Sequence, residues 1–251
     1  PILMYHGIAD APEPGVAPYY QTSTSPANFR RQLGLLAEQG FRALDLPQAL
    51  DLLRQPDPPP GKYLVITFDD GLRNVYTEAF PALREHGFTA TVFLPTAFIA
   101  DRRRAFKNAE CLTWAEAREM RRRGIRFGSH TVNHPELVRL SWPEIERELR
   151  DSKTELERQL GEPATAFAYP FAFPQCDHGF TRRLRGLLAG IGYTCCATTM
   201  LGRARPGADP FRLQRLPVNS LDDAALFDAK LQGDYDWLAL IQAVVKGFKR
   251  R

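Results

Sequence analysis

The chain has 251 residues, 44% of them apolar and 25% charged, enough for one large domain with a sizeable core and ordinary for a soluble globular protein. A formal net charge of +4 is too small an excess at this length to argue for nucleic acid, and no run of eighteen apolar residues offers a membrane span. Four cysteines, Cys111, Cys176, Cys195 and Cys196, form neither a C-x-x-C pair nor a disulfide framework, so reduced thiols are expected.

Short apolar runs alternate with longer amphipathic stretches along the chain. Ile2–Tyr5 reads as the first strand. A helix follows from about Pro26 to Gln39, with Phe29, Leu33 and Leu36 at helical spacing and Gly40 just past its end. Leu46–Arg54 reads as a second helix. The stiff Asp57–Gly61 connection then leads into a buried strand, Tyr63–Phe68. Asn74–His86 is expected to be helical and Ala90–Leu94 extended. Thr113 with Glu116 and Ser141 with Glu144 are capping boxes for helices ending near Arg123 and Leu160. Between them lies a strand, Ile125–Ser129. Ala166–Tyr169 is the next strand, Thr181 caps a helix to Ala189, and Tyr193–Thr198 and Leu213–Val218 are the last strands. Helices near Leu221–Leu231 and Asp236–Phe248 close the chain.

The repeated strand–helix order argues for a parallel sheet with helices outside it. About seven strands without a Gly-rich fingerprint favour an α/β fold closed into a barrel over a dinucleotide-binding fold. A single catalytic domain over 1–251 is expected, with 221–251 a helical extension packed on it. Two polar segments stand directly after apolar strands, at the rim where α/β barrels build active sites. One is Thr67-Phe68-Asp69-Asp70-Gly71. The other is Ser129-His130-Thr131-Val132-Asn133-His134-Pro135.

Side chains of consecutive residues diverge, so of Asp69 and Asp70 one can hold a cation while the other stays free as a general base. The tripeptide ending in Gly71 also suits a plain turn that caps the next helix. His130 and His134, four apart, suit one metal on a tight turn. One carboxylate and two imidazoles leave an open position for water, as in catalytic zinc sites.

Together with Ala168-Tyr169-Pro170-Phe171, in that order along the chain, these segments resemble the polysaccharide deacetylases of carbohydrate esterase family four, the NodB-homology domain. Met4-Tyr5-His6-Gly7 is similar to the subgroup whose first strand carries a Tyr-His pair. The resemblance spans about Tyr63–Val218. It implies a distorted (β/α) barrel, one divalent metal, and hydrolysis of N-acetyl groups from an amino-sugar glycan or glycan precursor. By position it makes Asp69 the base and Asp70, His130 and His134 the metal ligands, with the backbone N–H of Phe171 an oxyanion donor. Tyr169, Pro170 and Phe171 are expected to meet substrate. Zn2+ fits the ligand set; Ni2+, Co2+ and Fe2+ are also accepted by two imidazoles and a carboxylate.

Two departures stand out. Ala168 takes the place where the family often carries an Arg that orients the catalytic Asp. Arg215-Leu216-Pro217-Val218-Asn219 lacks the late His that protonates the leaving amine. His6, at the end of the first strand, is the preferred substitute for that acid, with His178 the second choice. Two other readings compete: a C–N hydrolase of a small non-sugar amide, and a carbohydrate-binding protein of weak activity. Lys246, Lys249, Arg250 and Arg251 make a basic amphipathic end that could touch a membrane surface or pack on the body. A monomer is expected. Pro1 opens in what reads as mid-strand with no initiator Met, as in an N-terminally trimmed chain. That leaves the compartment open between cytoplasm and bacterial cell envelope.

Overall fold

A computed structural model describes residues 1–10, 21–238 and 242. In chain order the strands are β1 (Ile2–Tyr5), β2 (Gly7–Ile8), β3 (Ser23–Thr24), β4 (Phe41–Leu44), β5 (Lys62–Phe68), β6 (Thr91–Leu94), β7 (Ala105–Phe106), β8 (Ala109–Glu110), β9 (Arg126–Ser129), β10 (Ala166–Ala168), β11 (Cys195–Leu201) and β12 (Leu213–Pro217). The helices are α1 (Pro26–Glu38), α2 (Leu46–Arg54), α3 (Phe80–Glu85), α4 (Trp114–Arg122), α5 (Trp142–Leu160), α6 (His178–Ile191) and α7 (Ala224–Gln232).

Seven parallel strands close a barrel in the order β1-β12-β11-β10-β9-β6-β5. Pairing of Ile2–Tyr5 with Val65–Phe68 completes the ring. β4 lies outside the ring, paired with the first half of β5 from Phe41↔Lys62 to Leu44↔Val65. Period-two alternation sorts the side chains. Ile2, Val65, Phe93, Ala166, Cys195 and Leu213 pack together inside, and Leu46 and Leu50 of α2 join them. Leu64, Ile66 and Phe68 face the other way, into the layer of helices, as do Phe167 and Cys196. Cys195 and Cys196 thus point to opposite faces, as expected of strand neighbours.

Both expected capping boxes are present, Thr113 with Glu116 on α4 and Ser141 with Glu144 on α5. α6 starts four residues earlier than expected. Asp177 is its cap, accepting from the Phe180 N–H at 2.9 Å, while the Thr181 hydroxyl bonds back to the Asp177 carbonyl from inside the first turn. The segment after Asn74 opens with a π turn, Val75–Ala79, before α3. α7 occupies part of the expected penultimate helix. The last helix and the basic residues Lys246, Lys249, Arg250 and Arg251 lie outside the described residues. No helix among the described residues is long and apolar enough to cross a membrane.

Candidate active site

Alternation carries inward-facing positions past the strand ends onto the rim. On β5, Val65 and Thr67 point inward, and Asp69, two further on, continues that face; its N–H donates to the Tyr5 carbonyl at 3.0 Å. On β9 the inward face runs from Gly128 to His130, whose N–H donates to the Leu94 carbonyl at 3.0 Å. On β1 it runs from Ile2 through Met4 to His6.

After Asp69 the chain turns sharply. Asp70 (φ 67°) and Gly71 (φ 59°) are both left-handed. Gly71 is required twice over, since a Cβ there would also lie 2.6 Å from Leu94 Cδ2. The turn sends the two carboxylates apart, Asp69 to Arg215 and Asp70 to the histidines. Thr131 (φ 70°), His134 (φ 55°) and Phe171 (φ 57°) are also left-handed. With Lys107 (φ 48°) and Asn108 (φ 64°) they complete the set of non-glycine residues in this region among the described residues. Each such conformation costs on the order of 1–3 kcal/mol, and such strain gathers at functional sites.

One ligand atom from each of Asp70, His130 and His134 lies within 4.8 Å of the others, and all three residues are buried. His134 Nε2 is 3.2 Å and His130 Nε2 3.6 Å from Asp70 Oδ1. His130 Nδ1 is 2.8 Å from the Ala168 carbonyl, which fixes the proton on that nitrogen and turns the Nε2 lone pair into the site. Burial lowers the His130 pKa to about 4, so the ring is neutral and able to ligate near pH 7. Burial pushes the Asp70 carboxyl upward, but the His134, His6 and His130 imidazoles and the Lys107 ammonium around it hold it well below the usual carboxylate range. Asp70 Oδ1 and His134 Nδ1 are both buried without a hydrogen-bond partner among the described residues. A buried anionic oxygen left unbonded between two imidazoles is the donor set a divalent ion requires.

Asp69 faces Arg215, the largest fully buried side chain among the described residues. Arg215 Nη1 and Nη2 donate to Oδ1 and Oδ2, each at 2.7 Å, Nη1 reaches Thr67 Oγ1 at 3.2 Å, and Nε donates to the Thr198 carbonyl at 2.9 Å. This is a bidentate, charge-assisted pair inside the barrel. Burial pushes the Asp69 carboxyl up, but the guanidinium, with His130 and His6, brings it down to about 2. His6 Nε2 lies 4.0 Å from Asp69 Oδ2 and is partly exposed.

A cleft of about 400 Å³ opens beside these groups along residues 169–176 and is also lined by Glu136 and Val138. Phe171 is 46% exposed and its ring meets His134 with centroids 4.6 Å apart. Thr199 pins the turn, donating to the Phe171 carbonyl and accepting from the Phe173 N–H. Tyr169 and Pro170 are buried, Tyr169 packing on Phe173 in the helix layer. The β7–β8 hairpin brings Phe106 against His134, with centroids 5.1 Å apart, and the Lys107 ammonium to 3.2 Å from Asp70 Oδ2. His178 is exposed at the start of α6.

The structure therefore brings Asp69, Asp70, His130, His134, His6 and Phe171 together. Sequence reasoning misses Arg215 and the hairpin. Arg215 sits on β12 in inward register with Leu213, which is the one sequence signal that could have found it. Its guanidinium pairs with Asp69 from a different strand than the one on which the expected Arg is replaced by Ala168.

A family model for polysaccharide deacetylases matches residues 57–195. YxkH of Bacillus subtilis is 27% identical over 232 residues, 92% of this chain and 76% of that protein. The poly-beta-1,6-N-acetyl-D-glucosamine N-deacetylase of Staphylococcus aureus (strain N315) is 24% identical over 211 residues, 80% of this chain and 69% of the relative. Among solved structures, the Streptococcus pyogenes deacetylase PplD in complex with acetate superposes with a TM-score of 0.77 at 27% identity, covering 92% of this chain and 97% of that one. With more than half of its length under the family model and its barrel shared with a solved deacetylase, the chain belongs to the polysaccharide deacetylase family.

Proposed function

We propose that this protein is a metal-dependent N-deacetylase that hydrolyses the acetamido groups of an N-acetylglucosamine-containing glycan. The observation that carries the reading is the buried Asp70–His130–His134 cluster beside a carboxylate, Asp69, held as an anion. A divalent ion on that triad, Zn2+ or another metal accepting two imidazoles and a carboxylate, would polarise the acetyl carbonyl and lower the pKa of the attacking water.

The chain's own groups supply the rest. Asp69 takes the proton from the water as its oxygen bonds to the acetyl carbon. The Phe171 N–H, fixed by the left-handed turn, donates to the carbonyl oxygen as negative charge grows there. His6 protonates the nitrogen as the C–N bond breaks, releasing acetate and the free amine. The name of the Staphylococcus aureus relative supports a poly-N-acetylglucosamine substrate, and the open cleft with its exposed Phe171 suits a chain of sugar rings.

Acetate release from N-acetylglucosamine oligomers, measured with and without a chelator, tests the reading. Release is expected to stop on chelation and return with Zn2+. Asp69→Asn should lose about 100-fold or more of turnover while keeping its metal, because only the base is removed. Undiminished turnover in that variant would remove Asp69 from the chemistry.

A further inference from the structure

Two histidines four residues apart reach one point only because the turn between them is left-handed at Thr131 and His134. Such a turn leaves successive backbone N–H groups converging on one side, a concavity that favours an anion. Here the anion is a carboxylate from outside the loop. Glu148 on α5 accepts the Val132 N–H at 2.8 Å and the Asn133 N–H at 2.9 Å on Oε2. Its Oε1 accepts the Asn133 side-chain amide at 2.7 Å. One helical turn on, on the same face of α5, Ser152 Oγ is 2.8 Å from Ser129 Oγ, and that oxygen accepts the Thr131 N–H at 3.3 Å. The His134 N–H goes to Thr131 Oγ1, and the Thr131 and Val132 carbonyls are held by the Thr96 and Ala97 N–H groups.

We propose that Glu148 is a positioning residue for the metal site: its carboxylate holds the 131–134 turn in the conformation that presents His134 to Asp70 and His130, and so sets metal affinity. The inference rests on the metal-dependent reading above. The bonds of Glu148 go to the backbone of the loop and to the Asn133 side chain, not to the side chains of the three ligands. Asn133 is exposed, so water can take over the two N–H groups when the carboxylate is lost. The fold then survives, while the turn is left with only its Thr96, Ala97 and Ser129 bonds and its own Thr131 hydroxyl against the strain. Removing a partner that orients a ligand typically weakens metal binding 10–100-fold.

The test compares Glu148→Gln and Glu148→Ala with the wild type and with Arg150→Ala, an exposed neighbour on α5 paired with Glu146. Zn2+ dissociation constants are measured by competition with a chromophoric chelator, and the Co2+-loaded proteins are compared by visible absorption. Both Glu148 variants should bind Zn2+ about 10–100-fold more weakly, with an altered Co2+ spectrum, while Arg150→Ala matches the wild type. If Glu148→Ala does not fold, Glu148→Gln carries the test, since it keeps one acceptor oxygen but places an NH2 against N–H donors. A Glu148→Gln constant within twofold of wild type, with an unchanged Co2+ spectrum, overturns the inference and leaves the metal reading standing. A wild type that binds no divalent ion overturns both.

Discussion

Arg215 and Asp69 are each inert without the other. A guanidinium wholly inside a barrel is costly unless every donor is met, and a buried carboxylate without a counter-charge takes up a proton. Paired, they leave Asp69 as an anion with a pKa near 2, against an ordinary 3.8. A carboxyl whose folded pKa is depressed adds stability that is present above the unfolded value and lost as pH falls through the folded one. The pair should therefore stabilise the fold fully above about pH 4 and progressively less toward pH 2. Arg215→Met reverses the balance, since burial then acts on Asp69 unopposed and raises its pKa. The acid limb of kcat/KM should move to higher pH, and the fold should lose about 3–5 kcal/mol, the usual cost of breaking a buried pair. A pH–rate profile checks the first and urea unfolding the second. An acid limb identical to that of the wild type would show that Asp69 is not the base.

Elements differ in how much of their role can be read from residue order. β5 and β10 are legible because continuous apolar runs mark buried parallel strands, and β9 because Ile125 and Phe127 alternate with polar or small residues; the chemistry follows directly at the ends of all three. β4 is not legible, because Phe41-Arg42-Ala43-Leu44 is short, half-exposed and only flanks the ring. The start of α6 is misread because Thr181 and Asp177 are both good caps, and only the backbone shows which one lies outside the helix. Nothing in Leu-Gln-Arg-Leu-Pro names a partner for Arg215; ring closure is what sets it under a carboxylate 146 residues away. The β7–β8 hairpin turns on Lys107-Asn108, which lacks the glycine that normally signals such a turn. The Phe171 turn separates side chain from backbone in the same way. As the proposed oxyanion donor its N–H would serve whatever the side chain is, whereas the exposed ring would serve binding alone. Phe171→Ala should therefore raise KM several-fold, about 1 kcal/mol of lost aromatic contact, with kcat little changed. Steady-state kinetics on an N-acetylglucosamine oligomer decide it, and an unchanged KM would place the ring outside the sugar path.

Across the whole molecule, the barrel interior couples packing to chemistry because the same strand faces supply both. Gly128 lies in the interior two residues before His130. A Cβ there would come within 2.6 Å of the Phe93 ring and 2.8 Å of the Ala166 carbonyl, a backbone atom of the neighbouring strand. The ring can swing aside, but the carbonyl belongs to the ladder that closes the barrel through β9, β10 and β11. Gly128→Ala must therefore push β9 and β10 apart or tilt β9, at a cost of about 1–3 kcal/mol, the range for overpacked cores. The displacement passes along one strand to His130, whose Nδ1 is bonded to the Ala168 carbonyl on that same β10. Stability and metal affinity should fall together in this variant, read as a lower urea midpoint and a weaker Zn2+ dissociation constant. A lowered midpoint with full metal affinity would mean that the rim is insulated from the interior, and that the ligands are held by their loops rather than by the barrel beneath them.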